Sequence, residues 1–267
     1  MSTNLEGIRM RAQKGLKGVR FTSLYHHVYD EDNLRDCFKS IDGNKAIGID
    51  RVSKAEYGKE LESNLNNLSK QLRQMSYKPQ AKRRVYIEKA GSKQGRPLGI
   101  SCFEDKIVEK AIKQVLEGIY EEIFVENSYG YRPLRNQHDC LIELGRIIER
   151  EHVNYVAEAD IRSFFNEVNH DWMMKFLEHR IGDKRVLRII RRMLKGGIME
   201  EGLTRASEKG TPQGSILSPL LSNIYLHYAL DAWFEYEIKP ELRGRAFLLR
   251  FADDHLVCFQ YKEDADN

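Results

Sequence analysis

The stretch RFADDHLVCF, residues 250–259, sets two adjacent aspartates, Asp253 and Asp254, between two apolar runs, AFLLRFA before them and LVCF after. Two strands joined by a tight turn is the simplest reading. Asp is common in turns because its side chain hydrogen-bonds nearby backbone. Two carboxylates held side by side also repel each other unless a cation sits between them. Mg²⁺ takes hard oxygen ligands, usually one or two carboxylates together with substrate phosphates. The pair therefore predicts a hairpin, and it asks for a third carboxylate and a phosphate-bearing substrate.

The chain has 267 residues, 41% hydrophobic and 31% charged. That composition is globular, and the length suits one large domain or two smaller ones. The four cysteines, Cys37, Cys102, Cys140 and Cys258, form no CxxC pair, which argues against a zinc site or a disulfide framework. The N-terminus, MSTNLEGIRMRAQKG, has no apolar signal core. No apolar run reaches the ~18 residues that a membrane span needs. The expectation is a soluble cytoplasmic protein with no membrane partner.

The formal net charge is only +3, but the charge is not evenly spread. Residues 70–96 hold nine basic side chains against the single acid Glu88, a net +8. Lys82, Arg83 and Arg84 lie in the middle of this run, and a local cationic surface is what phosphate binding needs. A second basic array is predicted on a helix over 183–195. There Arg188, Arg191, Arg192 and Lys195 are spaced i, i+3, i+4 and i+7 on one face, with Leu187, Ile190 and Leu194 on another. These seven residues are the candidate RNA contacts.

Elsewhere the pattern predicts mostly helix over 34–75, interrupted by DGNKAIGID, and a strand at RRVYIEK followed by a glycine-rich turn, KAGSKQGRPLGI. Helical spacing of Ile107, Val108, Ala111, Ile112, Val115, Leu116 and Ile119 predicts a helix over 103–124. A loop at NSYGYRPLRNQHD, a helix over 140–148, a strand over 154–160 and a helix over 171–180 follow. Ser218 and Pro219 suit the start of a long helix. Asp160 closes the apolar strand YVAEA and is the best candidate for the third carboxylate, although a lone strand-end Asp is more often a helix cap or turn residue. A strand-end Asp, then a glycine-rich loop and helix, then an Asp-Asp hairpin is the order of a polymerase palm, where two Mg²⁺ ions about 4 Å apart support in-line phosphoryl transfer.

At this point six motifs in order resemble a group II intron-encoded reverse transcriptase of the maturase type. They are LYHHVYDEDNLRDCFKSIDGNKAIGIDRVS, RRVYIEKAGSKQGRPLGI, ENSYGYRPLRNQHDCL, AEADIRSFFNEVNHDWMM, GTPQGSILSPLLSNIYL and RFADDHLVCF. The resemblance implies an α+β right-hand polymerase, with helical fingers carrying a β-hairpin and an antiparallel palm sheet backed by helices. It implies an N-terminal tail over 1–23, an N-terminal extension and fingers over 24–150, and a partial palm over 151–267 with finger helices interleaved at about 170–200. Thumb and C-terminal domains are expected to be absent. By position, Asp160, Asp253 and Asp254 would bind two Mg²⁺ ions, helped by the Ile161 carbonyl, with Mn²⁺ as a substitute. Lys89 and Arg96 would hold the incoming deoxynucleoside triphosphate, and Gln213 would line its pocket. Phe165 would stack under the sugar and exclude a 2′ hydroxyl; without the family pattern, core packing beside Phe164 is the reading its sequence favours. Phe251 stands where the family commonly has tyrosine.

The implied function is RNA-directed DNA synthesis, with group II intron RNA, an RNA template and a DNA primer as partners and a role in splicing. Two readings stay open beside it. One is a retron, diversity-generating or CRISPR-associated relative. The other is a non-catalytic RNA-binding splicing module, which intact Asp160, Asp253, Asp254 and Gln213 argue against. A homodimer is left open.

Overall fold

The computed structural model describes residues 3–14, 18–89, 92–200, 203–205, 209–211 and 213–266. Among these, seven strands follow in chain order: β1 (Lys82–Lys89), β2 (Ser92–Ile100), β3 (Tyr155–Asp160), β4 (Ile198–Glu200), β5 (Leu203–Arg205), β6 (Ala246–Phe251) and β7 (Asp254–Phe259). The chain divides into two compact units. One comprises Met1–Glu122 and Phe165–Ser218; the other comprises Ile123–Phe164 and Pro219–Asn267.

The first unit is mainly helical. Its central helix, Phe103–Tyr120, buries Ile107, Val108, Ala111, Ile112, Val115, Leu116 and Ile119 completely. Those are the residues whose spacing marks the helix in the sequence. Leu34 of helix Glu31–Ser40 and Leu65, Leu68 and Leu72 of helix Leu61–Arg73 complete that core. One carboxylate starts two further helices. Asp183 Oδ2 accepts from the amides of Leu24 (3.0 Å) and Tyr25 (2.9 Å), and its Oδ1 accepts from that of Arg185 (3.0 Å). These amides would otherwise be orphaned at the starts of helices Tyr25–Tyr29 and Lys184–Lys195.

The sheet of this unit has the order β2-β1-β4-β5. Here the structure departs from the sequence pattern. Within KAGSKQGRPLGI, Ser92–Ile100 is strand β2, which pairs antiparallel with β1 from Arg83 opposite Ile100 to Lys89 opposite Ser92; residues 90–91 lie outside the described residues. The glycines and proline read as a turn, but β2 is an edge strand, where proline is tolerated. A side chain at Gly95 would lie 3.0 Å from Tyr86 Cβ, so glycine also lets the two strands close.

The second unit is a three-stranded antiparallel sheet, β3-β7-β6, with helices on both faces. Ala246 and Leu248 of β6 pack against Phe234 and its helical neighbours. Phe247 and Leu249 face the other way, toward Ile147 and Leu144 of helix Gln137–Arg150. That double burial is why AFLLRF reads as a continuous apolar run rather than an alternating one. The expected long helix begins at Ser218 as an α-helix to Leu226 and continues through π-helical turns at His227–Asp231 and Phe234–Ile238. Among the described residues no helix is long and apolar enough to cross a membrane.

One charged residue breaks the apolar run of β6. Arg250 is 1% exposed. Its Nε and Nη2 donate to the two oxygens of Asp231 at 2.7 and 2.6 Å, and Nη2 also donates to Ser128 Oγ at 2.8 Å. Its Nη1 donates to Asn223 Oδ1 (3.0 Å) and to the Ala252 carbonyl (2.7 Å). All five guanidinium N–H groups are therefore used. Replacing Arg250 with Met should cost this unit about 3–5 kcal/mol, because Asp231 is left buried and unpaired. Adding Asp231→Leu should recover part of that loss. Denaturant unfolding of the two variants and the parent measures both effects; equal stability of Arg250→Met and parent would refute the first.

Candidate active site

The two aspartates of the opening motif sit where strand pairing puts them. The β6–β7 register sets Phe251 opposite Asp254, so Ala252 and Asp253 form a two-residue turn. Ala252 has φ +62°, in the left-handed region that most side chains avoid. The turn is braced from outside. Tyr129 N donates to the Arg250 carbonyl (2.9 Å), and Arg250 N donates to that of Asn127 (2.9 Å). A Cβ on Gly130 would lie 2.2 Å from Ala252 N, so only glycine lets this segment pass the turn. Asn223 Nδ2 donates to the Gly130 carbonyl at 2.7 Å.

Asp254 is the first residue of β7, and Asp160 is the last of β3. The antiparallel register places them directly opposite each other. Directly opposed residues share a face, with Cβ atoms about 4.5–5.5 Å apart, and like charges there are destabilising. Both side chains are exposed. Among the described residues no basic side chain forms an ion pair with either. Asp253 is half-buried in the turn, and its carbonyl lies 3.1 Å from His255 Nδ1. The Ile161 carbonyl accepts from Phe164 N at 3.2 Å, which leaves one lone pair for another partner.

Two exposed, opposed carboxylates with a third in the adjoining turn form an all-oxygen donor set of the kind Mg²⁺ takes. They are neighbours rather than a finished cage. Among the described residues no three His, Cys, Asp or Glu side chains converge into a group able to hold a metal ion.

The nucleotide-contact candidates all belong to the first unit, and the three aspartates all belong to the second. Arg96 is exposed on β2; the side chain of Lys89 lies outside the described residues. The Gln213 carbonyl accepts from Gly99 N at 2.6 Å, which ties its loop to the end of β2. Gln213 Oε1 and Thr211 Oγ1 are buried without a hydrogen-bond partner. Gly210 has φ +87°, and a Cβ there would lie 2.9 Å from the Phe165 carbonyl. Phe164 is buried against Tyr225, whereas Phe165 is half-buried, so the two adjacent rings have different surroundings.

The basic candidates separate into two groups. Arg188, Arg191 and Lys195 are exposed along helix Lys184–Lys195. Arg192, on the same helical face in sequence, donates to the carbonyls of Met75 and Tyr77 at 2.9 Å each. Arg83 donates through Nε (3.0 Å) and Nη2 (2.8 Å) to the Ile47 carbonyl, and Arg84 is half-buried. Lys82 is 5% exposed and pairs with Glu109 at 2.7 Å. Glu109 also accepts from Ser101 Oγ (2.8 Å) and Ile216 N (2.9 Å). Burial works to raise its pKa, but the Lys82 charge and these hydrogen bonds hold it below the usual carboxylate range. The Lys82 charge is thus spent inside the protein.

Sequence reasoning missed the groups that hold the aspartates in place: Arg250, Asp231, Asn223, Ser128 and Gly130. A signal for two of them was present, since Arg250 and Asp231 are charges inside otherwise apolar runs.

The model of the reverse transcriptase (RNA-dependent DNA polymerase) family matches residues 87–267. Group II intron-encoded protein LtrA of Lactococcus lactis subsp. cremoris is 34% identical over 225 residues, which cover 84% of this chain and 37% of LtrA. Protein YkfC of Escherichia coli (strain K12) is 38% identical over 192 residues, covering 69% of this chain and 49% of YkfC. Among solved structures, a chain of a partial Cas6-RT-Cas1–Cas2 complex matches with TM-score 0.56 and 25% identity, over 93% of this chain and 40% of that one. The chain thus spans less than half the length of each of these three relatives.

The burial of Lys82 yields a test of its structural role. Lys82→Met should lower stability by about 3–5 kcal/mol, since Glu109 then loses its buried partner. Denaturant unfolding beside the parent measures the loss, and a variant as stable as the parent would refute it.

Proposed function

This chain belongs to the reverse transcriptase (RNA-dependent DNA polymerase) family, and we propose that it is of the group II intron-encoded type and carries the fingers and part of the palm of an RNA-directed DNA polymerase. The observation that carries the reading is the β3–β7 register, which sets Asp160 directly opposite Asp254 with Asp253 in the adjoining turn. The first unit would form most of the fingers, and the second would hold the palm strands together with residues 123–150 of the expected fingers.

Asp160, Asp253 and Asp254 would hold two Mg²⁺ ions, with the Ile161 carbonyl as a further oxygen donor. Bound there, the ions supply activation of the primer 3′ hydroxyl and stabilisation of the leaving oxygen. The protein's own part is positioning and charge. Lys89 and Arg96 neutralise the triphosphate of the incoming nucleotide, whose charge shifts as the bond to the α-phosphate breaks. Gln213, whose backbone is tied to β2 and whose Oε1 has no protein partner, offers an acceptor to that nucleotide. Phe165 is only half-buried, which leaves ring surface to meet C2′ of the sugar and exclude a 2′ hydroxyl.

Template and intron RNA would meet the basic surfaces. The exposed Arg188, Arg191 and Lys195 also support a second reading, an RNA-binding module that aids splicing without polymerising. The two readings differ in whether the aspartates matter to activity.

Primer extension on an RNA template distinguishes them. In an extension-competent protein carrying this chain, Asp160→Asn or Asp253→Asn should reduce the rate at least ~100-fold, because a neutral amide cannot offset divalent charge. Both variants should keep RNA binding and thermal stability. Extension within a few-fold of the parent rate would remove the mutated residue from the catalytic role.

A second experiment reads sugar choice. Phe165→Ala should raise ribonucleotide incorporation relative to deoxyribonucleotide incorporation in the same assay. Unchanged discrimination would assign Phe165 to packing alone.

A further inference from the structure

Two short segments of the first unit run side by side. Residues 165–170 begin with Phe165, and residues 209–211 lead into Gln213. Backbone ties them together. Thr211 N donates to the Phe165 carbonyl and Gly210 N to the Val168 carbonyl, at 2.7 Å each. Asn169 and Lys209 form an antiparallel bridge, and Lys209 Nζ donates to Glu167 Oε2 at 2.6 Å. Gly210 passes so close that a Cβ on it would lie 2.9 Å from the carbonyl oxygens of both Phe165 and Asn166. Beyond it, the Gln213 carbonyl is tied to β2 through Gly99 N.

One side chain fastens this pairing. His170 is 6% exposed, and its Nε2 donates to the Gly210 carbonyl at 2.7 Å. A carbonyl only accepts, so Nε2 carries a proton. His170 is the first residue of helix His170–Arg180, but the helix start does not need its ring. Asn169 Oδ1 already accepts from Asp171 N (2.9 Å) and Trp172 N (3.0 Å).

The other ring nitrogen shows why packing alone does not account for a histidine here. Nδ1 is buried with no hydrogen-bond partner among the described residues. An unsatisfied buried nitrogen costs stability, and an apolar side chain would avoid that cost. What the imidazole adds is the bond to Gly210. That bond holds the loop, and the loop holds the Phe165 carbonyl. The place of the Phe165 ring and the course of the chain toward Gln213 are therefore set by one contact.

We infer that His170 is a positioning residue for deoxynucleotide selection: by holding the Gly210 carbonyl it fixes the backbone of Phe165, and with it the ring that excludes a 2′ hydroxyl. It acts through Phe165 and is not itself a nucleotide contact. A misplacement of ~1 Å can cost about 10²-fold in a reaction that depends on positioning, so a loosened backbone is enough to blur sugar choice. The inference rests on the reading of Phe165 given above and deepens it by naming what sets the ring in place.

The test compares His170→Leu, His170→Asn and His170→Gln in an extension-competent protein carrying this chain. The Gln amide nitrogen reaches the position of Nε2, the Asn amide reaches only that of Nδ1, and Leu offers no donor. The ratio of kcat/KM for deoxyribonucleotide over ribonucleotide should fall roughly 10-fold in the Leu and Asn variants and stay within about 2-fold of the parent in the Gln variant. In a Phe165→Ala background, His170→Leu should change the ratio no further. Unchanged discrimination in the Leu variant, equal behaviour of Asn and Gln, or an effect that adds to that of Phe165→Ala would overturn the inference. If the Leu variant fails to fold, the comparison of Asn with Gln decides. Amide hydrogen exchange reads the same contact without any extension. The Gly210 and Thr211 amides should exchange roughly 10-fold faster in the Asn variant than in the Gln variant, and equal rates would overturn the inference. The Asp160→Asn control separates the two failures. Parent-like extension by it would sink the polymerase reading while exchange still judges the clamp. Lost extension in it, beside unmoved discrimination in His170→Asn, would sink the clamp alone.

Discussion

The paired charge of Arg250 and Asp231 is the interaction on which the second unit depends. A charge this deeply buried is tolerable only when it is paired and fully hydrogen-bonded. Arg250 meets that condition through Asp231, Asn223, Ser128 and the carbonyl of Ala252. Those partners come from four stretches of chain: residues 127–130, the helix from Ser218, the π turn at His227–Asp231, and the hairpin turn itself. One guanidinium thus fixes the strand, the helix behind it and the turn in front. It sits three residues before Asp253, so whatever holds Arg250 also holds the carboxylates. A hydrophobic residue there could pack as well, but it could not bond the Ala252 carbonyl and so set the turn.

The first unit has a similar device with the charges reversed. Glu109 on the central helix gathers Lys82 of β1, Ser101 just past β2, and Ile216 of the glycine-containing loop. Strand, helix and loop are tied by one buried carboxylate. Gly99 N bonding to the Gln213 carbonyl extends the tie to the residue expected at the nucleotide. In each unit a single buried ionic group positions the residues that the chemistry would use, while those residues themselves stay at or near the surface. Asp160, Asp254 and Arg96 are exposed. On the proposed function they would meet a charged ligand in water, and stability is delegated to groups one layer deeper.

Much of this was legible in the sequence. The helix over Phe103–Tyr120, the strand ending at Asp160 and the hairpin carrying Asp253 and Asp254 follow from local spacing. Periodicity is a property of neighbours along the chain, and so is the order of motifs that resembles a reverse transcriptase. The family assignment rests on the same kind of information and agrees with the matched relatives.

Tertiary structure decided what depends on partners far away in the chain. KAGSKQGRPLGI reads as a turn, but most of it is strand, because β1 supplies backbone partners that outweigh the local preference of glycine and proline. Lys82 and Arg188 look alike as members of basic runs. One is buried by Glu109, 27 positions away, and the other faces solvent. Phe164 and Phe165 are adjacent and identical, yet only the first is buried. The sequence determined which residue types the chain places in which order, and with them the family and the candidate carboxylates. Register and burial decided which of those residues meet, because a strand's pairing and a charge's counterion come from segments that no local pattern can identify.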